Sequence, residues 1–411
     1  MQRSSRAAGS MAHSCSRTRA LAVRAVCALF TVCAAAVELP AQNAPPSVRV
    51  ASFGVDTSAA DVAQIVGLVR AYLAQPQKAD ADDRAARQAG LWSTATWADE
   101  RHGDLSRGFV YQGFPATIVG VTAAAAGDSV YIVKVLYAAA DSTRTRISPL
   151  ALQRLYAIRA PEAPHGWRLG TALPRLTSHW TRQHSGSIHF WYAPDMTPDS
   201  SRAASATRFV AELSQRFNVA PPERLDYYVT SSPDEYHRIV GLDYFVRPSG
   251  PGTATGGMAL GEGIVLSGDP SQGEAYLHEL AHAVLLPLEI RNHFVSEGIA
   301  TWLGGSQGRD LAELVRVLGD FQRERSDVSL EQLIRDEVPD GGQFATVAWY
   351  ATAALFVEAV HQRAGMAGVR ALSATDAGTD ATLRLLQDGL GGELADAERW
   401  WRGLTTPEVR D

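Results

Sequence analysis

The spacing of apolar positions divides the chain into two blocks, one reading helix and then strands, the other mixed and ending in helices. In residues 59–73, Val62, Ile65, Val66, Val69, Ala71 and Leu73 recur at helical spacing and Gln75-Pro76 stops the run, which predicts a helix. A weaker helical pattern covers Ala81 to Trp92. Runs of β-branched and aromatic residues then predict strands at Gly108–Gln112, Thr117–Val121, Ser129–Tyr137, Leu152–Ile158 and Trp167–Thr171. Helices followed by an antiparallel meander predict a curved sheet around a helix, a small α+β unit spanning 47–178. Trp92, Trp97, Tyr131 and Tyr137 read as its core.

After a connecting stretch at 176–185, the second block reads strand 187–193, amphipathic helix 200–217, strand 224–230 and short helix 233–240. Strand-like segments at 256–260 and 264–267 flank a glycine-broken turn at Gly261 and Gly263. From 274 to 287 the pattern is largely apolar, with Ala275, Leu277, Leu280, Ala281, Val284 and Leu285, which predicts a buried helix ended by Pro287. The remainder is helical: 311–322, 329–336 with Ser329 as N-cap, 346–364 closed by Gly365, 381–388 and 394–404. The class expected for the whole is α+β.

The buried helix at 274–287 carries charged chemistry where none belongs without a reason. His278 and His282 are four residues apart, so both imidazoles leave one face of a helix and can bind one Zn²⁺. Glu279 beside them is the candidate general base, able to take a proton from a water as it attacks a carbonyl. A catalytic zinc needs a third protein ligand, and Glu297, fifteen residues after His282, can supply it. His293 is the rival, but a three-histidine site wants its third His six residues after the second, and here the gap is eleven. With 11 histidines in 411 residues, a chance His-Glu-x-x-His has an expectation of about 0.01 to 0.02. The bland alternative is a buried helix with hydrogen-bonded histidines. It has to leave two carboxylates buried as well, which is costly without partners. His184, His189 and His237 read as structural.

Together His278-Glu-Leu-Ala-His282 and Ser296-Glu297-Gly-Ile-Ala-Thr-Trp302 resemble the gluzincin metallopeptidases, in particular the bacterial peptidase MA-like families. The resemblance covers residues 186–404 and implies Zn²⁺ held by His278, His282 and Glu297, Glu279 as base, and a peptide or protein as substrate. It implies that the strand near 257–266 pairs with extended substrate; an ordinary hairpin is the equal alternative. It also implies a tyrosine from the C-terminal helices at the oxyanion, for which Tyr350 is the candidate, with His361 behind it. One position departs: where many gluzincins have an acidic residue orienting the first His, this chain has Thr301. The 47–178 unit is similar in pattern only to cystatin-like or nuclear-transport-factor-like domains and reads as an accessory domain.

Composition adds a compartment. Residues 1–41 read as a secretory signal peptide: Arg17, Arg19 and Arg24, an apolar core from Ala25 to Val37, and Leu39-Pro-Ala41 ahead of the cut. An uncleaved anchor is the alternative; a lipoprotein is disfavoured because Val26 and Val32 precede the cysteines. Cys15, Cys27 and Cys33 all fall in this segment, so the rest of the chain offers neither disulfides nor thiolate ligands. The segment holds five Arg and one Glu, so without it the net charge goes from −6 to −10. An acidic protein without a basic run argues against nucleic acid or anionic membrane as partner. The expectation is an exported, periplasmic or extracellular zinc peptidase without stable membrane insertion after cleavage. Two other classes fit the residues: a non-peptidase zinc hydrolase on the same scaffold, and a binding protein with a vestigial metal site.

Overall fold

The computed structural model describes residues 48–74, 90–96, 98–99, 114–124, 129–140, 147–246, 256–260 and 263–405. The leader read at 1–41, most of the helix read at 81–92, the strand read at 108–112 and Trp97 lie outside the described residues. The architecture is α+β, with two mixed sheets and a helical C-terminal region.

In the first sheet β1 (Arg49–Val50), β2 (Ala116–Ala123), β3 (Val130–Ala140), β4 (Ile147–Arg159) and β5 (Trp167–Gly170) lie in sequence order. The pairs are antiparallel except β1 with β2. Helix α1 (Ala60–Leu73) packs on this sheet through Ile65, Leu68 and Val69, which share a core with Ile118, Val133, Val135 and Leu169. The order is the helix-then-meander order read from the sequence. Trp92 and Tyr137 are buried there, and the Trp92 ring meets Tyr72 edge-on at 5.5 Å.

The second sheet is built from β6 (Thr181–Ser185), β7 (Ile188–Tyr192) and β8 (Leu225–Val229), with helix α2 (Ser200–Phe217) crossing between β7 and β8. That crossover makes β7 and β8 parallel. Asp199 caps α2 by accepting from the Ser201 and Arg202 N–H groups. After helix α3 (Pro233–Ile239), strand β9 (Leu242–Phe245) leaves for the first sheet and pairs antiparallel with β4. Asp243 in it meets Lys134 at 3.3 Å and Arg154 at 2.7 Å. Residues 46–411 therefore form one compact unit in which the accessory region and the later block share a sheet.

The chain then returns to the second sheet as β10 (Gly257–Ala259) and β11 (Ile264–Ser267), giving the order β10-β11-β8-β7-β6 with β10 on the edge. Every residue of β8 and β11 is buried. Alternation explains it: Tyr227, Val229 and Val265 face the helical core, while Tyr228, Ile264 and Leu266 face the core under the first sheet.

On the helical side, α4 (Leu277–Leu285) runs into a 3₁₀ turn at Leu286–Leu288, where Pro287 ends the α-helix. Then come α5 (His293–Gly304), α6 (Leu311–Glu324), α7 (Leu330–Ile334), α8 (Gly342–Ala371), α9 (Thr379–Leu390) and α10 (Leu394–Gly403). Ser329 caps α7 as expected, and Gly365, at φ 59°, breaks α8 where the sequence pattern closes it. Among the described residues α8 alone is long and apolar enough to cross a membrane; 56% of its apolar window is buried inside the protein, and it packs along α5 and α6.

Candidate metal centre

Helices α4 and α5 bring the three proposed ligands together. His278 Nε2 and His282 Nε2 lie 3.2 Å apart, and Glu297 Oε2 stands 3.1 Å from the first and 3.4 Å from the second. Two glycines allow the approach. At Gly304 a Cβ would overlap the backbone of Leu277 and His278, so only glycine lets the end of α5 touch the start of α4. At Gly298 a Cβ would lie 2.7 Å from the Ala353 carbonyl oxygen, so glycine there lets α5 rest on α8, which carries Tyr350. The residue after Glu297 thus has a packing reason for being glycine.

The chemistry of the trio follows from its hydrogen bonds. His278 Nδ1 lies 2.8 Å from the Gly305 carbonyl oxygen, which only accepts, so Nδ1 carries the proton. In the neutral ring Nε2 is then a bare lone pair, pointed at another imidazole Nε2 and at a carboxylate oxygen. Three lone-pair atoms in mutual contact repel unless positive charge sits among them. The pKa directions show that a proton on the histidines can serve as that charge. Burial works to raise Glu297, and its bonds to His278 and His282 reverse that and hold the carboxyl well below the usual carboxylate range. Burial works to lower His282, and Glu297 overrides it and raises the imidazole above its ordinary value. Residues His278, His282 and Glu297 can hold a metal ion, and among the described residues they are the group of three that can. Two imidazoles and one carboxylate beside a cleft are a donor set that suits a divalent metal ion.

The outer contacts resolve what Thr301 left open. The acceptor orienting His278 is the main-chain carbonyl of Gly305, and Ser296 Oγ stands 3.4 Å from His282 Nδ1. Thr301 is fully buried, and its hydroxyl has no hydrogen-bond partner. His293 stays outside the trio: its side chain is largely exposed, and its Nδ1 lies 3.6 Å from Glu297 Oε1, the oxygen turned away from the other histidines. His361 packs against Trp302 and does not line the cleft. His237 is bonded to the Pro233 carbonyl at 2.7 Å, and His189 sits 3.9 Å from Asp226 on the other side of the sheet.

Glu279 lines the same cleft, of about 450 Å³, together with the trio and Tyr350. Its Oε2 accepts from the Ala259 N–H at 2.9 Å. Burial pushes its pKa up, only partly offset by the two histidines. Strand β10 forms the rim beside it. Gly256 O and Leu260 N bond inward to Gly268 and Ile264, so Gly257 and Ala259 turn their backbone groups away from β11, and the Ala259 N–H meets Glu279. The Tyr350 ring meets the His278 ring edge-on at 6.1 Å, and burial, with Glu297 and Glu279 nearby, pushes its hydroxyl pKa up, so it stays a proton donor. The opposite wall is Leu285, Leu286 and Ile290, with Glu289 at φ 49° among them. Those wall residues carry no pattern that distinguishes them in sequence from a helix end.

No protein-family model matches the chain, and no curated protein matches it in sequence.

Proposed function

We propose that the chain is an exported zinc-dependent peptidase of the gluzincin kind, with His278, His282 and Glu297 holding the ion and Glu279 as general base. The observation that carries the reading is that His278, His282 and Glu297 bring one ligand atom each within 4.8 Å of one another, in one cleft with a buried carboxylate and a sheet edge. Zinc bound there would polarise the scissile carbonyl and lower the pKa of a water.

The chain's own groups do the rest. Glu279 Oε2 is anchored on the Ala259 N–H, which leaves Oε1 to take the proton of the attacking water and pass it to the leaving amine nitrogen. A carboxylate made more basic by burial suits that exchange. Tyr350, held protonated by burial, donates to the oxygen on which negative charge develops. The outward backbone of Gly257 and the Ala259 carbonyl pair with the main chain of an extended peptide, which favours a peptide over a compact small molecule. The leader pattern at 1–41 supports export.

The test is zinc content and chelator-sensitive cleavage of casein, side by side for the protein and Glu279→Gln. Zinc in both with cleavage only by the unsubstituted protein supports metal and base together. Zinc without cleavage moves the reading to a narrower or non-peptidase hydrolase on the same residues; no zinc sinks it.

A further inference from the structure

The sheet edge opposite β10 carries another pair of histidines. Strand β6 is exposed from Thr181 to His184, and the turn at Gly186, φ 59°, folds the chain back so that His184 stands directly opposite His189. Alternation puts Ile188, Phe190 and Tyr192 of β7 in the helical core and leaves His189 and Trp191 on the other face, beside their partners His184 and Arg182. The His184 and His189 rings lie 4.3 Å apart, centroid to centroid, with their planes at 72°. In the candidate metal centre the His278 and His282 rings lie 4.9 Å apart at 76°, and there the two Nε2 atoms are 3.2 Å from each other. The exposed pair therefore has the separation and tilt of two imidazoles that can share an ion.

A second observation concerns what stands behind His189. Its Nδ1 faces Oδ1 of buried Asp226 at 3.9 Å. Asp226 is itself held by Arg224, at 2.8 and 3.1 Å, and by the Trp191 Nε1–H at 3.1 Å. A carboxylate facing one ring nitrogen is the arrangement that orients a ligand histidine and leaves its Nε2 for the metal. Burial, with His184 and Arg224, holds His189 below its ordinary value against the pull of Asp226, so the ring is neutral at pH 7 and has a lone pair to give.

We propose that His184 and His189 form a separate metal site, which takes a divalent transition-metal ion, Cu²⁺ most tightly, with water in the remaining positions. Calcium and magnesium are set aside because they take oxygen ligands, and the pair offers nitrogen. Among the ions that imidazole suits, Cu²⁺ stands highest in the general order of affinity. The ion bridges β6 to β7 and so clips the exposed edge strand to the sheet. The assignment does not rest on the peptidase reading, since β6 and β10 are opposite edges of the sheet, four strand spacings of about 4.8 Å apart.

The test uses full-length His282→Ala protein, in which the trio is broken, with Cys15, Cys27 and Cys33 alkylated so that no thiol takes the metal. Cu²⁺ is titrated by calorimetry, and the bound ion is read by electron paramagnetic resonance for coupling to two imidazole nitrogens. Adding His184→Ala or His189→Ala is expected to weaken binding at least tenfold and to remove the two-nitrogen signal. Adding His179→Ala, at another exposed histidine, is expected to change neither. Melting temperatures without metal check the fold of each variant; where His189→Ala lowers its own, His184→Ala, at the exposed position, decides. A rise in melting temperature with Cu²⁺ that disappears in His184→Ala supports the clip. Binding undiminished by His184→Ala overturns the site, as does equal weakening by His179→Ala.

Discussion

Gly304 sits directly against His278, close enough that any side chain at 304 would overlap the first residues of α4. The contact is backbone on backbone, so no rotamer change relieves it. Gly304→Ala is therefore expected to destabilise the protein by about 1–3 kcal/mol, the usual cost of overpacking. It also moves the Gly305 carbonyl off His278 Nδ1, which loosens the ring that the carbonyl orients. Urea unfolding and a zinc titration check both parts; unchanged stability and unchanged metal affinity would show that α4 and α5 are not held by this contact.

Metal addition is expected to stabilise the fold, because the trio exists only when α4 and α5 are packed. At a free zinc concentration a hundredfold above Kd the gain is about 2.7 kcal/mol, lost again on chelation. His282→Ala removes one of the three donors and should abolish most of this increment while leaving the core of α4, Leu280 and Val284, in place. Thermal melts with and without zinc, on the protein and the variant, read the difference directly.

Thr301 offers a contrary prediction. Its hydroxyl is buried without a partner, so it contributes the cost of its lost hydration and no compensating bond. Thr301→Val keeps the shape and removes the polar atom, and is expected to stabilise by about 1 kcal/mol with zinc content unchanged. Thr301→Ala, which also removes the methyl group, should not share the gain. A destabilised valine variant would mean the hydroxyl holds something that the His278–His282–Glu297 group needs.

What the sequence made legible is the part fixed by local periodicity. His278 and His282 had to share a face if 274–287 was helical, and the apolar pattern there left little else. Glu297 came from spacing on a second helix and from resemblance, and it does complete the group. The orienting partner of His278 was out of reach, because a main-chain carbonyl has no residue identity to read; the Gly304-Gly305 pair was its trace, read as a helix end. The boundary between the two blocks was also hidden. Strand β9 is four residues long, and which sheet it joins is decided by pairing with β4, ninety residues earlier, rather than by anything in Leu242–Phe245 itself.

Tyr350 separates catalysis from assembly. It is not a ligand, its ring packs beside His278, and its hydroxyl is kept protonated by burial and by the two carboxylates. Tyr350→Phe keeps the ring and removes only the donor. If the hydroxyl meets charge that develops in the transition state, kcat should fall by about 10²-fold with KM nearly unchanged, as for loss of one oxyanion donor. Zinc content and melting temperature should stay where they were, since the ring contact survives. A rise in KM instead, with kcat intact, would place the tyrosine with substrate binding and not with the chemistry. Steady-state kinetics on one peptide, with zinc measured in the same samples, distinguishes the two roles.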